Sequence, residues 1–234
     1  AVLSLIANAV STYGAKELIP LLGVLVLAWV LCAIQMFLID GALIRFVGGL
    51  SPIRFFRGFW PAQVVAFTSQ SSVGTIPVSV KQLVSRLGVN EDIASFVAAL
   101  GANLGMPACA GIWPTLLAVL AINIFDIPYS IGQYAFLIVL TLIVSIGTVG
   151  VPGTSTVTTT ALFTAAGLPV EIIVLLVPIS SVVDMMRTAA NVTGAATAAV
   201  LVAKSEQLLD REVYDQGNSE EGLSGAAAVG ESAR

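Results

Sequence analysis

The sequence predicts an all-α integral membrane fold made of broken transmembrane helices and two re-entrant helical hairpins, and three observations lead there. Hydrophobic residues make up 57% of the 234 and charged residues only 10%, where a soluble domain carries roughly 25% charged. Apolar stretches long enough to cross a bilayer recur along the chain. Two of them are interrupted at their centres, in corresponding places, by Gly, Pro and polar residues. A body so poor in polar side chains cannot cover itself with a water-facing surface, which excludes a soluble globular enzyme.

The elements follow in order. Residues 1–13 form a short apolar piece without an initiating Met, a charged start or a cleavage site, and read as the end of a helix that begins earlier. Residues 18–39 are uncharged, enough to cross about 30 Å at 1.5 Å per residue. Residues 51–87 read as helix, polar tip, helix: Pro61, Gly74 and Pro77 interrupt them, and a polar run occupies residues 68–72. Residues 93–125 break near Gly101, Gly105 and Pro107. Residues 129–166 repeat the helix, tip, helix pattern around Gly147-Thr148-Val149-Gly150-Val151-Pro152-Gly153. Residues 172–203 form the last helix and carry Asp184 and Arg187. Tips near 71–77 and 147–153 cannot face lipid, because unpaired backbone groups there cost several kcal/mol each. Re-entrant hairpins meeting inside the protein satisfy this; a pair of kinked ordinary helices is the plainer alternative.

Charge placement sets the orientation. Arg45, Arg54, Arg57, Lys81, Arg86 and Lys204 fall on one side if both ends of the first hairpin are cytoplasmic, and Asp126 and Glu171 fall on the other. Only Lys16, beside Glu17, sits on the outer side. Residues 1–204 form the membrane portion. Residues 205–234 hold seven acids against Arg211 and Arg234 and read as a disordered acidic cytoplasmic tail. No basic face exists for nucleic acid. The absence of His and the apolar settings of Cys32 and Cys109 leave no zinc site or disulfide framework.

Asp184 and Arg187 lie three apart, with Thr188 and Asn191 on the same helical face. Ionisable residues at membrane depth mark function by default. The plainer alternative is an i,i+3 pair that simply neutralises itself. A zwitterionic solute would use both charges, its ammonium on Asp184 and a carboxylate on the guanidinium fork of Arg187. Hairpin tips add helix N-termini for an anionic group and free carbonyls for a cation. The hydroxyl run at residues 154–160 is expected to bond back to its own helix rather than form a polar pathway.

Three motifs in order carry a resemblance: Ser71-Ser72-Val73-Gly74-Thr75-Ile76-Pro77-Val78, Ser145-Ile146-Gly147-Thr148-Val149-Gly150-Val151-Pro152-Gly153, and Asp184-Met185-Met186-Arg187-Thr188-Ala189-Ala190-Asn191-Val192-Thr193-Gly194. They resemble the sodium:dicarboxylate symporter (glutamate transporter) group, over residues 1 to about 206. The resemblance implies the C-terminal half of an elevator-type transporter core in the cell (inner) membrane, homotrimeric as a full-length protein, with its trimerisation scaffold outside this chain. It implies substrate contacts at Asp184 (amino group), Arg187 (carboxylate), Thr188, Asn191 and Ser72, and at the backbone around Val151 and Gly153. A single sodium site is implied at Met106, Ser145, Ile146 and Thr148.

Departures matter as much. Where the family carries sodium-binding Asp and Asn on its seventh helix, this chain has Pro107 and Gly105. Where it carries an Asp on the eighth, this chain has Ala195. Coupling to fewer sodium ions, or to protons, is the expectation. The segment Cys109-Ala110-Gly111-Ile112-Trp113-Pro114 resembles the bacterial L-cystine uptake branch, which adds Cys109 to the candidate substrate contacts. The function implied is secondary active uptake of an amino acid or dicarboxylate, with no enzymatic step and no cofactor beyond Na+ or H+. An anion or solute channel, and a non-transporting fragment, are the alternatives.

Overall fold

The structure, a computed structural model, describes residues 15–216 other than 105 and 149; the apolar piece at 1–13 and the tail beyond 216 lie outside the described residues. Helix α1 spans Ala15–Ala33 and continues through π-helical turns at Ile34–Asp40 and Leu43–Val47. It therefore runs past the expected end at residue 39. Gly41 keeps right-handed helical geometry at φ −61°, the left-handed Gly49 at φ 60° comes only later, and the buried Asp40 carboxylate accepts a hydrogen bond from Gln35 Nε2 at 3.3 Å.

The first hairpin is α2 (Pro52–Ser69) and α3 (Ser72–Leu87). Pro52 enters α2 at its first turn, where its missing N–H costs nothing, and Gln70 ends the helix in the left-handed region at φ 56°. Ser71 then caps α3 by accepting from the Gly74 N–H at 3.0 Å. A broken segment follows: α4 (Glu91–Gly101), an irregular link, a π-helical stretch Pro107–Ile112, and α5 (Trp113–Ile124). The second hairpin pairs α6 (Ile131–Ser145), opened by a Ser130/Gln133 capping box, with α7 (Thr154–Ala166), closed by Gly167 at φ 67°. Long helix α8 (Glu171–Ser205) comes next, then short α9 (Arg211–Gln216).

Helix α8 is the spine, packing against α1 to α5 and α7. Its first half, Ile172 to Val183, joins an apolar core with Trp113, Leu117, Leu137, Leu162 and Phe163. Its second half, Val192 to Ala203, joins another with Phe55, Phe59, Leu83, Leu87 and Ala94. Between them α8 buries a polar run, Asp184, Arg187, Thr188 and Asn191. The outer surface is apolar, with Phe46, Phe96, Ile131 and Val157 each at least two-thirds exposed. Among the described residues, two helical stretches, Leu22–Val47 and Pro107–Ile124, are long and apolar enough to cross a membrane.

One expectation is corrected. The tail drawn as disordered from Ser205 is ordered as far as Gln216. Val89 and Leu209 form an antiparallel bridge, and Asp210 N–H donates to the Gly88 carbonyl at 2.7 Å. The Asp210 carboxylate caps α9, and buried Tyr214 donates its hydroxyl to the Ser51 carbonyl at 3.0 Å. Composition averaged over the tail hides Leu209 and Tyr214, whose burial orders this strap across the base of the first hairpin.

Candidate functional site

The site lies at the seam between the two apolar cores, where both hairpin tips reach α8. The Gly150 carbonyl of the second tip accepts from the Val73 N–H at 3.2 Å and from Ser71 Oγ at 3.4 Å, both on the first. A Cβ at Gly150 would stand 2.7 Å from Ser72 Cβ and strike the Ala102 carbonyl oxygen, so only glycine lets the tips close this far. Gln70 ties the first tip to α8 by accepting from Ser181 Oγ at 3.4 Å.

Arg187 is the largest of the fully buried side chains. Its Nη2 donates to Asp184 Oδ1 at 2.9 Å and to the Ser180 carbonyl at 3.1 Å, and its guanidinium lies 4.7 Å from the Trp113 ring centroid. The i,i+3 pair thus forms directly, as the plainer alternative foresaw. The pair does not use the whole fork, however: Nη1 and Nε are buried without a hydrogen-bond partner. Asp184 also accepts from Cys109 Sγ at 3.6 Å, and its backbone carbonyl from Thr188 Oγ1 at 2.8 Å. Asn191 Oδ1 accepts the Ala108 and Cys109 N–H groups at 2.9 and 3.4 Å, pinning the start of the π-helical stretch to α8, while its Nδ2 has no partner.

Ser72, Cys109, Val151, Asp184 and Thr188 line one small cavity with Gln70, Met106, Gly150, Thr154 and Ser155. It holds about 10 Å³, room for one water molecule, so the tips are shut on it. Arg187 and Asn191 stand behind this lining. Gly153 caps α7 in the left-handed region, at φ 86°. Of the four residues proposed around a sodium ion, Met106 faces the cavity and Thr148 is buried, donating to the Val144 carbonyl and lying 3.2 Å from Thr158 Oγ1. The Ser145 hydroxyl turns back to Leu142, and the Ile146 side chain is 63% exposed, leaving its carbonyl as the usable ligand.

The hydroxyls of Thr154, Thr158, Thr159, Thr160 and Thr164 all donate to carbonyls three or four residues earlier, as expected of the 154–160 run. Ser155 departs from this pattern: its Oγ is buried without a partner beside the cavity. Sequence reasoning passed over Ser155, Gln70, Trp113 and Ser180. The first was hidden in a run of helix-bonded hydroxyls. Gln70 sat in the polar tip and carried a usable signal.

The family model for the sodium:dicarboxylate symporter family matches residues 1–205. An L-cystine uptake protein TcyP of Bacillus cereus is 34% identical over 222 residues, covering 94% of this chain and 47% of that protein. The protein of the same name in Shouchella clausii is 35% identical over 220 residues, with the same coverage. An uncharacterized symporter of Haemophilus influenzae is 37% identical over 177 residues, 75% of this chain and 39% of its own length. The chain spans about half the length of the curated relatives it matches.

Proposed function

The chain belongs to the sodium:dicarboxylate symporter family, a family of membrane transporters and not of enzymes, and from that premise we propose that it forms the substrate-binding half of a secondary active symporter for L-cystine or an acidic amino acid. The observation that carries this reading is the Asp184–Arg187 pair, buried under two closed hairpin tips, with two guanidinium nitrogens still without partners. A buried ion pair by itself is weak evidence for a stabilising role, since desolvation offsets its attraction. A ligand carboxylate on Nη1 and Nε, and an ammonium on the Asp184 carboxylate, would complete both groups. Ser72, Cys109, Val151, Gly153, Thr188 and Asn191 complete the proposed substrate site. Met106 and the backbone at 145–148 are the proposed cation site.

In this reading both hairpins are re-entrant and the transport unit moves as an elevator within a homotrimer of the full-length protein. Arg54, Arg57 and Arg86 gather at one end of the molecule with the base of the first hairpin, and Lys204 lies close to Gly49. The positive-inside rule makes that end, and the C-terminus with it, cytoplasmic.

The deciding substitution is Arg187→Cys in the full-length protein. Loss of a desolvated charge-assisted bond costs about 2–5 kcal/mol, so uptake of labelled cystine and glutamate should disappear. Acidic-substrate affinity equal to that of the unaltered protein would return Arg187 to a purely structural pair.

A further inference from the structure

Asp40 is an acid that the proposed substrate site does not use. It is 2% exposed, at the end of the π-helical turn Ile34–Asp40, which packs against α8. Gln35 Nε2 donates to its Oδ1, while Oδ2 is buried without a hydrogen-bond partner. One turn earlier, Met36 marks a polar joint of three helices: Gln63 Nε2 on α2 donates to Thr193 Oγ1 on α8 at 2.9 Å and lies 3.9 Å from Met36 Sδ. Helices α1 and α8 run in the same direction, since Trp29 Nε1 donates to the Val182 carbonyl and a Cβ at Gly48 would stand 3.2 Å from Leu201 Cδ2. Asp40, a turn after Met36, and Thr197, a turn after Thr193, therefore continue the same seam, and both are buried. Thr188 and Thr193 donate to carbonyls four residues back on α8, but Thr197 Oγ1 has no partner, and neither has Gln63 Oε1.

The seam thus holds one unpartnered carboxylate oxygen and two unpartnered neutral oxygens. The basic groups of the elements around it are turned elsewhere: Arg45 and Arg57 are exposed, Arg54 pairs with Asp215, Arg187 with Asp184, and Lys204 Nζ lies against Gly49. Lys16, Glu17 and Glu171 stand at the opposite ends of α1 and α8. An ionised carboxylate buried without a counter-charge is costly, and a proton removes that cost where it stands. One carboxylate with two neutral oxygens falls short of the oxygen shell that a hard cation gathers.

We propose that Asp40 binds the coupling proton of the transport unit. A proton from water forms an O–H bond at Oδ2, cancels the carboxylate charge, and leaves Gln63 Oε1 or Thr197 Oγ1 as acceptor for the new donor. Gln63 belongs to the first hairpin and Thr197 to the helix of Asp184 and Arg187, so the charge changes where the hairpin meets the substrate helix. The role in transport rests on the uptake proposed above; the proton site itself does not.

The test compares the unaltered full-length protein with Asp40→Asn, Asp40→Glu and Asp126→Asn, the last at an exposed acid away from the seam. Labelled L-cystine is followed in proteoliposomes in two modes: accumulation driven by an imposed proton gradient, and exchange against internal cystine without a gradient. D40N should lose accumulation and keep exchange, whereas D40E and D126N should keep both. Acid-minus-alkaline infrared difference spectra of the same proteins in detergent should show a carboxylic-acid C=O band that is absent in D40N and present in D126N. Proton-driven accumulation in D40N equal to that of the unaltered protein overturns the proposal, as does an unchanged infrared band. Accumulation that follows a sodium gradient alone and is lost in D40N overturns it too, by making the ion sodium. If the unaltered protein neither accumulates nor exchanges cystine, the uptake reading fails, and the infrared band, which needs no substrate, still decides Asp40. Should D40N not fold, Asp40→Ser carries the same comparison.

Discussion

At the scale of single residues, Asp184 joins three residues of the site: it accepts from Arg187 and Cys109, and its carbonyl from Thr188. Asp184→Asn keeps the size and an accepting oxygen, so these bonds can persist while the charge is lost. Binding of any α-amino substrate should fall tenfold or more, about 1.4 kcal/mol. A dicarboxylate without an ammonium, such as succinate, should bind at least as well as before. Competition against labelled substrate separates the two outcomes and decides the substrate class. The burial of Asp184 and Arg187 as a pair was legible because ionisable residues stand out in an apolar helix. Trp113 was not, since an aromatic in an apolar run looks like core until its ring is found against a guanidinium.

Among the elements, the contact of α4 with α8 bears on ion coupling. A Cβ on Gly101 would lie only 2.5 Å from Ala195 Cβ, and Pro107 Cγ lies 3.5 Å from where a Cβ on Gly194 would sit. The cavity beside Gly101 and Ala195 holds about 10 Å³. Ala195 stands where the resemblance to the family implies an acid, and the helices leave little space there for a carboxylate. Ala195→Asp should therefore destabilise the protein by about 1–3 kcal/mol through overpacking. Thermal denaturation measures this, and sodium dependence of uptake should not increase. The element pattern was largely legible in the sequence, because Gly and Pro punctuate both hairpins and the break before α5. The extension of α1 to Val47 was not, since π-helical turns leave no signature distinct from an ordinary apolar helix. Nor was the strap at 206–216, where buried Tyr214 and partly buried Leu209 outweigh an acidic average.

For the whole molecule, the consequence is energetic coupling. A sodium ion placed where Pro107 and Ala195 now stand would be an uncompensated buried charge, costing several kcal/mol. Transport should run on one sodium ion, bound near Met106 and the carbonyls at 145–148, or on protons. Proteoliposomes holding the full-length protein, compared under imposed sodium and proton gradients, test this. A sodium Hill coefficient near three would exclude it, and a value near one, or sodium-independent uptake, is the expected result. The two-core plan is compatible with that proposal: apolar halves of α8 are packed into separate cores, and the polar seam lies between them.

Both tips hang on one atom. The Gly150 oxygen takes the Val73 amide with one lone pair and the Ser71 hydroxyl with the other. Whichever hairpin withdraws first, the same two bonds are broken, so in the proposed uptake entry from one face and exit to the other would share a single hinge-pin rather than two independent doors. Under that proposal, a change that loosens this oxygen would hasten both directions alike and leave the balance between them where it was.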